Sequence, residues 1–218
     1  MDHLTHQLAL ELEDIREDLA CAELAASCQR AADFGCGSGL STICLFLELD
    51  ARELQGVDKD EALILAAEKN LEALKVASLS NLAQYGDNDL LAHMSSAFGA
   101  GRLVGFSVAN VLSSATLPKD LNLGFCRKLL SPIHEAEYGN PDGGMDAALG
   151  VLRNLEATIV SGGQLLIVEK RAIDFRSAIE SSGLRLQRLD HYRRHDIGTS
   201  GRVTLYKTDY VRYLCAKL

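Results

Sequence analysis

Apolar residues recur along the chain at two spacings, and these spacings predict alternating helices and strands. Within residues 4–28, leucine and isoleucine fall at helical spacing with acids between them, which is typical of one or two amphipathic helices. Short apolar runs then alternate with longer helical segments. The predicted strands are residues 31–34, 54–57, 102–109, 121–126, 164–169, 184–192 and 202–214, and the predicted helices are 40–49, 60–75, 89–98, 145–160 and 173–182. This alternation predicts an α/β fold with a doubly wound, mostly parallel sheet.

The chain is predicted to form a single domain. Its 218 residues are enough for one sizeable core and few for two. We expect residues 1–29 to form a helical cap or lid and residues 30–218 to form the α/β core. Residues 76–100 make the connection before the third strand long, so we predict a helical insertion there. Glycine, asparagine and proline over residues 139–144 predict a loop.

Composition and charge narrow the class of protein. A net charge of −8 argues against general nucleic-acid binding, which requires cations to displace counterions. No apolar run approaches the ~20 residues of a membrane span, and the N-terminus lacks a signal peptide, so we expect a cytoplasmic protein without a membrane partner. The cysteines form no CxxC pair, which predicts reduced thiols and no metal site; they are Cys21, Cys28, Cys36, Cys44, Cys126 and Cys215.

A run with glycine at every second position follows the first predicted strand. Residues 33–39 place glycines at 35, 37 and 39, and Asp58 ends the next predicted strand. Glycine lets a backbone bend sharply and lie against a ligand, and an acid at the end of the next strand is suited to the hydroxyls of a ribose. The pattern therefore predicts a nucleoside-type cofactor at the carboxyl edge of the sheet.

Two common nucleotide motifs do not fit this run. A dinucleotide fingerprint needs a third glycine at position 40, which is Leu40. A P-loop needs Gly-Lys-Ser/Thr, and Gly39 is followed by Leu40. Neither a dinucleotide nor a nucleoside triphosphate is therefore the predicted ligand.

The Asp33-x-Gly35-x-Gly37-x-Gly39 string, together with Asp58, resembles the class I S-adenosylmethionine-dependent methyltransferases, over residues 31–214. The resemblance implies a Rossmann-like sheet of seven strands, with the last strand antiparallel between the fifth and sixth. It also implies S-adenosylmethionine as cofactor and an enzyme of the methyltransferase type.

The resemblance assigns roles to residues that match the family motif. The glycines would approach the methionine part of the cofactor, Asp33 would lie near its amino group, and Asp58 would accept hydrogen bonds from the ribose hydroxyls. Lys59 would lie along the adenine, Asn110 stands where the family often has an acid at the adenine amine, and Cys126 would lie beside the methyl-transfer pocket. The full predicted cofactor set is Asp33, Gly35, Cys36, Gly37, Gly39, Asp58, Lys59, Asn110 and Cys126.

The predicted acceptor side lies in a loop after the fourth strand. His134 titrates in the range of a general base, and Glu135 and Tyr138 are further catalytic candidates. Arg127 and Lys128 could bind an anionic acceptor such as a carboxylate. The fourth strand lacks the Asn-Pro-Pro-Tyr sequence of many family members that methylate amino groups. This absence argues against methylation of the amino groups of DNA or glutamine.

The sequence thus predicts methyl transfer to a small-molecule acceptor. The alternatives are a non-catalytic S-adenosylmethionine-binding module, a methyltransferase acting on protein or RNA, and another nucleoside-using enzyme such as an aminopropyl transferase. Basic residues over 191–196 favour a macromolecular acceptor weakly, and the net charge opposes it. His191 and His195 would share a metal only on a helix, and this segment is predicted as strand and loop. No sequence feature specifies an oligomeric state.

Overall fold

The computed structural model describes residues 3–20, 28–81, 89–136, 141–197 and 205–218. Seven strands in these ranges form one sheet: β1 (Arg30–Phe34), β2 (Glu53–Asp58), β3 (Leu103–Val108), β4 (Leu121–Arg127), β5 (Ile159–Lys170), β6 (Leu184–Ile197) and β7 (Leu205–Lys217). The α-helices there are α1 (His3–Ala20), α2 (Leu40–Glu48), α3 (Glu61–Asn81), α4 (Asp89–Gly99), α5 (Leu130–Ala136), α6 (Pro141–Glu156) and α7 (Arg176–Ser181).

The strand order is β3-β2-β1-β4-β5-β7-β6. Neighbouring strands from β3 to β5 run parallel, whereas β7 is antiparallel to both β5 and β6. The order reverses between β1 and β4, and ligands of doubly wound sheets bind at the carboxyl ends beside such a switch point. The fold that the resemblance implied is confirmed, including the antiparallel strand between the fifth and sixth.

Side chains that alternate along each strand supply two hydrophobic clusters, one on each face of the sheet. Leu166 and Val168 of β5 pack with α1 and α2, while Leu165 and Ile167 pack with α6 and α7. All four are at most 1% exposed, which explains why the strand is an unbroken apolar run. No helix within the described ranges is both long and apolar enough to span a membrane.

The helix in the predicted insertion is present. Helix α4 buries Met94 and Ala97, and Phe98 stacks on Phe46 of α2 with ring centroids 5.4 Å apart. The insertion therefore extends the layer of helices that covers α2.

Two predicted loops are wrong within the described residues. Of the loop predicted over 139–144, residues 139 and 140 lie outside the described ranges, and residues 141–144 form the first turn of α6, where proline is tolerated because no earlier turn needs its N–H. Gly144 is required there because a Cβ would lie 2.7 Å from the carbonyl oxygen of His134. The loop predicted after the fourth strand is instead α5, which carries His134 and Glu135.

Strand β5 also begins earlier than predicted, at Ile159 rather than Gln164. Its register with β4 shifts between the pairs Leu121↔Ile159 and Leu123↔Gln164. The extra residues bulge from the ladder, so residues 159–163 lack the regular alternation that predicts a strand.

Candidate functional site

The glycine run forms a tight loop between β1 and α2. Gly35, Gly37 and Gly39 have φ angles of 78°, 53° and 83°, all in the left-handed region. The loop is fastened to β2 because the N–H groups of Gly35 and Cys36 both donate to the carbonyl of Val57, at 2.8 and 3.0 Å. The run therefore lies at the carboxyl edge of the sheet, as predicted.

Gly37 and Gly39 have different surroundings. A Cβ on Gly39 would lie 2.7 Å from both the Ala67 Cβ and the Phe106 ring, whereas a Cβ on Gly37 would meet nothing within 4 Å. The N–H of Gly37 donates to Asp58 Oδ2 at 3.0 Å. Gly39 thus serves close packing between loop and helix, and Gly37 borders open space beside Asp58.

This difference predicts two distinct mutant phenotypes. We expect Gly39→Ala to lower the free energy of unfolding by about 3 kcal/mol, because a left-handed φ and a steric overlap add. Gly37→Ala meets only the φ penalty of about 1 kcal/mol, yet its methyl group borders the Asp33 cavity described below. Urea denaturation of both variants measures the contrast, and equal losses of stability would contradict it.

Asp58 borders a largely apolar cavity of about 370 Å³. The N–H of Asp60 donates to Asp58 Oδ1 at 3.0 Å, so backbone donors contact both carboxylate oxygens and fix the side chain. The other lining residues are Gly35, Lys59, Ala109, Asn110, Val111, Leu112, Lys128, Leu129, Pro132, Ile133, Ala136 and Ala147. A largely apolar cavity bordered by a carboxylate can hold an adenosine, with the base against the apolar lining and the ribose hydroxyls near the acid.

Asn110 turns the chain at the end of β3. Its Oδ1 accepts a hydrogen bond from the N–H of Leu112 at 3.0 Å. A carbonyl oxygen has a second lone pair, so Asn110 can accept a further hydrogen bond from the amine of a ligand in the cavity.

Asp33 borders a second cavity of about 290 Å³ on the other side of the glycine run. The hydroxyls of Ser41 and Thr42 donate to Asp33 Oδ2 at 2.6 and 2.7 Å. Burial raises the pKa of Asp33 to about 6, and the two hydroxyls partly counter that rise. The other lining residues are Glu11, Gly35, Cys36, Gly37, Ser38, Leu40, Ser41, Arg127 and Lys128.

The two cavities adjoin, since Gly35 and Lys128 line both. Asp58 borders one and Asp33 the other, with the glycine run between them. Such a pair of spaces accommodates a nucleoside joined to a short polar chain.

Residues 2–116 match the family described as ribosomal protein L11 methyltransferase (PrmA), which is just over half of the chain. The chain belongs to this methyltransferase family. S-adenosylmethionine is therefore its cofactor, and the protein is an enzyme of the S-adenosylmethionine-dependent methyltransferase type. No curated protein matched the chain in a sequence comparison.

Solved structures share the fold of this family member at low identity. A candidate methyltransferase of Bacillus halodurans C-125 superposes with a TM-score of 0.62 at 12% identity, over 94% of this chain and 99% of its own. A methyltransferase of Methanosarcina mazei gives 0.60 at 13% identity, over 89% and 94%. The YcgJ protein of Bacillus subtilis gives 0.57 at 12% identity, over 98% of both chains. These likenesses establish the Rossmann-like methyltransferase architecture.

Helix α1 contributes Glu11 to the lining of the Asp33 cavity, through an ion pair that the sequence analysis did not anticipate. Arg127 donates to Glu11 of α1, and its Nη1 lies 3.8 Å from Asp14 Oδ2. Burial alone would lower the pKa of Arg127, but the charge of Glu11 and the hydrogen bond to it raise that pKa overall. Arg127 is therefore a cation paired with two carboxylates of α1, and its buried Nη1 has no hydrogen-bond partner among the described residues, so one donor remains at the border of the Asp33 cavity.

Helix α5, which walls the Asp58 cavity, is held by a buried acid at the end of β5. Glu169 accepts from the N–H groups of Leu129, Leu130 and Ser131 at 2.8, 2.6 and 3.2 Å, and from the Ser131 hydroxyl at 2.6 Å. Burial raises the pKa of Glu169, and these four hydrogen bonds work against that rise. The acid thus satisfies donors at the start of the helix that would otherwise be orphaned.

Several predicted site residues lie elsewhere. Cys126 is 0% exposed within the apolar cluster under α6 and borders neither cavity. The ring of His134 packs edge-on against Phe175 with centroids 6.3 Å apart, and neither His134 nor Glu135 borders the two cavities. Tyr138 falls outside the described residues. The described part of the chain holds no cluster of three or more residues suited to a metal ion.

The sequence analysis missed Glu11, and it identified Lys128 only as a possible contact for an anionic acceptor. Glu11 is one of several acids on an amphipathic helix, and nothing local distinguishes it from its neighbours. Lys128 borders both cavities with a φ of 56°, and its N–H donates to the Val168 carbonyl at 2.8 Å. A left-handed lysine has no sequence signature, but strain of this kind concentrates at functional sites.

Proposed function

We propose that the protein transfers the methyl group of S-adenosylmethionine to a small-molecule acceptor. The observation that carries this proposal is the position of α1, whose Glu11 is bound to Arg127 at the border of the Asp33 cavity. The methyl group would lie between the glycine run and this helix. A small molecule fits beneath such a cover, whereas a folded protein would have to displace a helix whose Leu8, Leu12 and Ile15 are buried.

The proposed donor site uses both cavities. Asp33, Gly35, Cys36, Gly37 and Gly39 would surround the methionine part, with the Asp33 carboxylate facing its ammonium group. Asp58 would accept hydrogen bonds from both ribose hydroxyls. Lys59 would lie along the adenine and Asn110 would accept from its exocyclic amine.

Methyl transfer from a sulfonium is an in-line displacement, so the protein's main task is to align the acceptor with the methyl group and the sulfur. The acceptor atom forms a bond to carbon, the carbon–sulfur bond breaks, and an acceptor hydroxyl or amine also releases a proton. Because His134 and Glu135 border neither cavity, we propose Glu11 as the proton acceptor in their place. It is the carboxylate that α1 contributes to the lining.

Protein methylation is the second candidate, and the family match favours it. The description of the matched family names a ribosomal protein as the molecule that is methylated. However, the match ends at residue 116, so it includes Glu11 of α1 but not β4 or the Arg127 and Lys128 that also border the Asp33 cavity. The match therefore covers only part of the proposed acceptor side.

A variant of Glu11 tests its proposed role. We expect Glu11→Gln to leave the Kd for S-adenosylmethionine within about twofold and to lower kcat by about 100-fold or more, the usual scale for losing a general base. Glu13→Gln is the matched control, because Glu13 is an exposed acid on the same helix. Equal kcat values for the two variants would contradict the role of Glu11.

The acceptor class is tested with methyl-labelled S-adenosylmethionine. The enzyme is incubated with separate low-mass, protein and RNA fractions of a cell extract, with Asp58→Ala as the blank. We expect enzyme-dependent label in the low-mass fraction. Label confined to the protein or RNA fraction would overturn the small-molecule proposal and leave the methyltransferase assignment intact.

A further inference from the structure

A third cavity, of about 200 Å³, lies between the segment after β5 and the β6–β7 pair. Its lining is separate from that of both cofactor cavities. The residues are Arg171, Ile173, Asp174, Arg176, Leu189, His191, Val211 and Tyr213. Strands β6 and β7 place four of them side by side, through the pairs Leu189↔Tyr213 and His191↔Val211.

One side of this cavity is apolar. Ile173 and Leu189 are half-buried and Val211 is 1% exposed. An apolar surface at the base of an open cavity favours a ligand with a hydrocarbon body over a fully hydrated ion.

Tyr213 supplies a buried hydroxyl with unused donor capacity. The side chain belongs to a residue only 1% exposed, and its oxygen accepts from the N–H of Phe175 at 3.3 Å. Its own proton has no acceptor among the side chains and backbone of the described ranges. Burial raises the pKa of Tyr213, so the hydroxyl remains protonated at neutral pH. Buried hydroxyls normally donate as well as accept, and so an acceptor from a ligand is expected here.

The charged residues leave the cavity with a surplus of donors. Arg176 binds Asp174 through its Nε at 2.8 Å from Oδ2, which neutralises the acid of the lining. The Arg171 guanidinium makes no hydrogen bond or salt bridge with a described side chain, and its charge acts on the Asp209 carboxylate, which is itself bound to Arg193 at 2.7 Å. The His191 ring makes no hydrogen bond within the described ranges, and it acts electrostatically on Asp174. The lining therefore carries two guanidinium groups, the His191 ring and the Tyr213 hydroxyl against the single carboxylate of Asp174.

We propose that this cavity is a second ligand site, which binds a small organic carboxylate. The hydrocarbon body would lie on Ile173, Leu189 and Val211. The carboxylate would accept from the Tyr213 hydroxyl and from Arg171, whose planar donors suit a carboxylate. The test of this site does not require the methyl acceptor to be known, because it measures ligand binding and not methyl transfer.

The probe is benzoate, an aromatic carboxylate, titrated by isothermal calorimetry into the full-length protein saturated with S-adenosylmethionine. We expect saturable binding with a Kd of about 1 mM or tighter. Arg171→Gln and Tyr213→Phe are each expected to weaken it by about 10-fold, the value of one charge-assisted or buried hydrogen bond. Arg185→Gln is the matched control, since Arg185 is an exposed arginine of β6 outside the lining.

Inorganic phosphate is the second probe, and we expect it to bind at least about 10-fold more weakly because it has no apolar body. Equal affinity for phosphate and benzoate would overturn the assignment to an organic carboxylate. Absence of saturable benzoate binding, or unchanged affinity in Arg171→Gln, would overturn the site itself. Because Arg171 is exposed, its replacement leaves the fold intact, and a change in affinity then reports on the proposed site.

Discussion

Asp58→Ala is expected to raise the Kd for S-adenosylmethionine by at least about 100-fold. Hydrogen bonds to a charged group contribute about 1.5–3 kcal/mol each, and two ribose hydroxyls would donate to this carboxylate. Backbone N–H groups of Gly37 and Asp60 hold its oxygens in place, at 3.0 Å each, so little side-chain entropy is lost on binding. Isothermal calorimetry with the cofactor and with its demethylated product measures the change.

The matched control is Glu61→Ala, which removes an exposed carboxylate three residues away that borders neither cavity. We expect its Kd to stay within about twofold of wild type. Asp58→Asn should fall between the two, because the amide keeps one acceptor oxygen and loses the charge. A change of less than about fivefold for Asp58→Ala, in a protein that still unfolds cooperatively, would remove Asp58 from the cofactor site.

Glu169→Ala is expected to lower the free energy of unfolding by about 4 kcal/mol. The substitution leaves three N–H groups and one hydroxyl near the start of α5 without their acceptor, and orphaned buried donors cost about 1–3 kcal/mol each before relaxation. Helix α5 would then detach from β5, and affinity for the cofactor should fall with it. Urea denaturation measures the first effect and calorimetry the second.

Glu135→Ala is the control for that variant, because Glu135 is an exposed acid on the same helix. Its free energy of unfolding should stay within about 0.5 kcal/mol of wild type. Glu169→Gln keeps one acceptor and is expected to lose about half as much as the alanine variant. If Glu169→Ala unfolds at the wild-type midpoint, the acid does not hold the helix.

The donor half of the site could be predicted from sequence because its signals are local. The left-handed angles of Gly35, Gly37 and Gly39 require glycine at fixed spacing, and Asp58 follows a strand that pairs in register with β1. Strand–helix alternation likewise predicts a doubly wound, mostly parallel sheet, while the position of the last strand between the fifth and sixth comes from the family resemblance. In each case a few neighbouring residues determine the structure, so a single sequence carries the information.

The acceptor half could not be predicted, because it depends on contacts between distant segments. The sequence around Arg127 gives no sign of Glu11, which the fold brings to it across 116 positions of the chain. Residues 130–136 read as a loop in the sequence because Glu169, which accepts from the N–H groups at the start of α5, comes about 40 positions later. The start of α6 at Pro141 similarly relies on Gly144 packing against His134. The helix and strand propensities of a segment carry no information about such distant partners.

The central claim is that the two adjoining cavities hold the cofactor, with its methyl group beneath α1. A crystal structure of the complex with the demethylated product, S-adenosylhomocysteine, tests it most directly. We predict both ribose hydroxyls within hydrogen-bond distance of Asp58, the adenine along Asn110, and the amino acid end between Gly37 and Asp33, with the sulfur facing Glu11. A product molecule bound elsewhere, or one with its sulfur turned away from α1, would contradict the account.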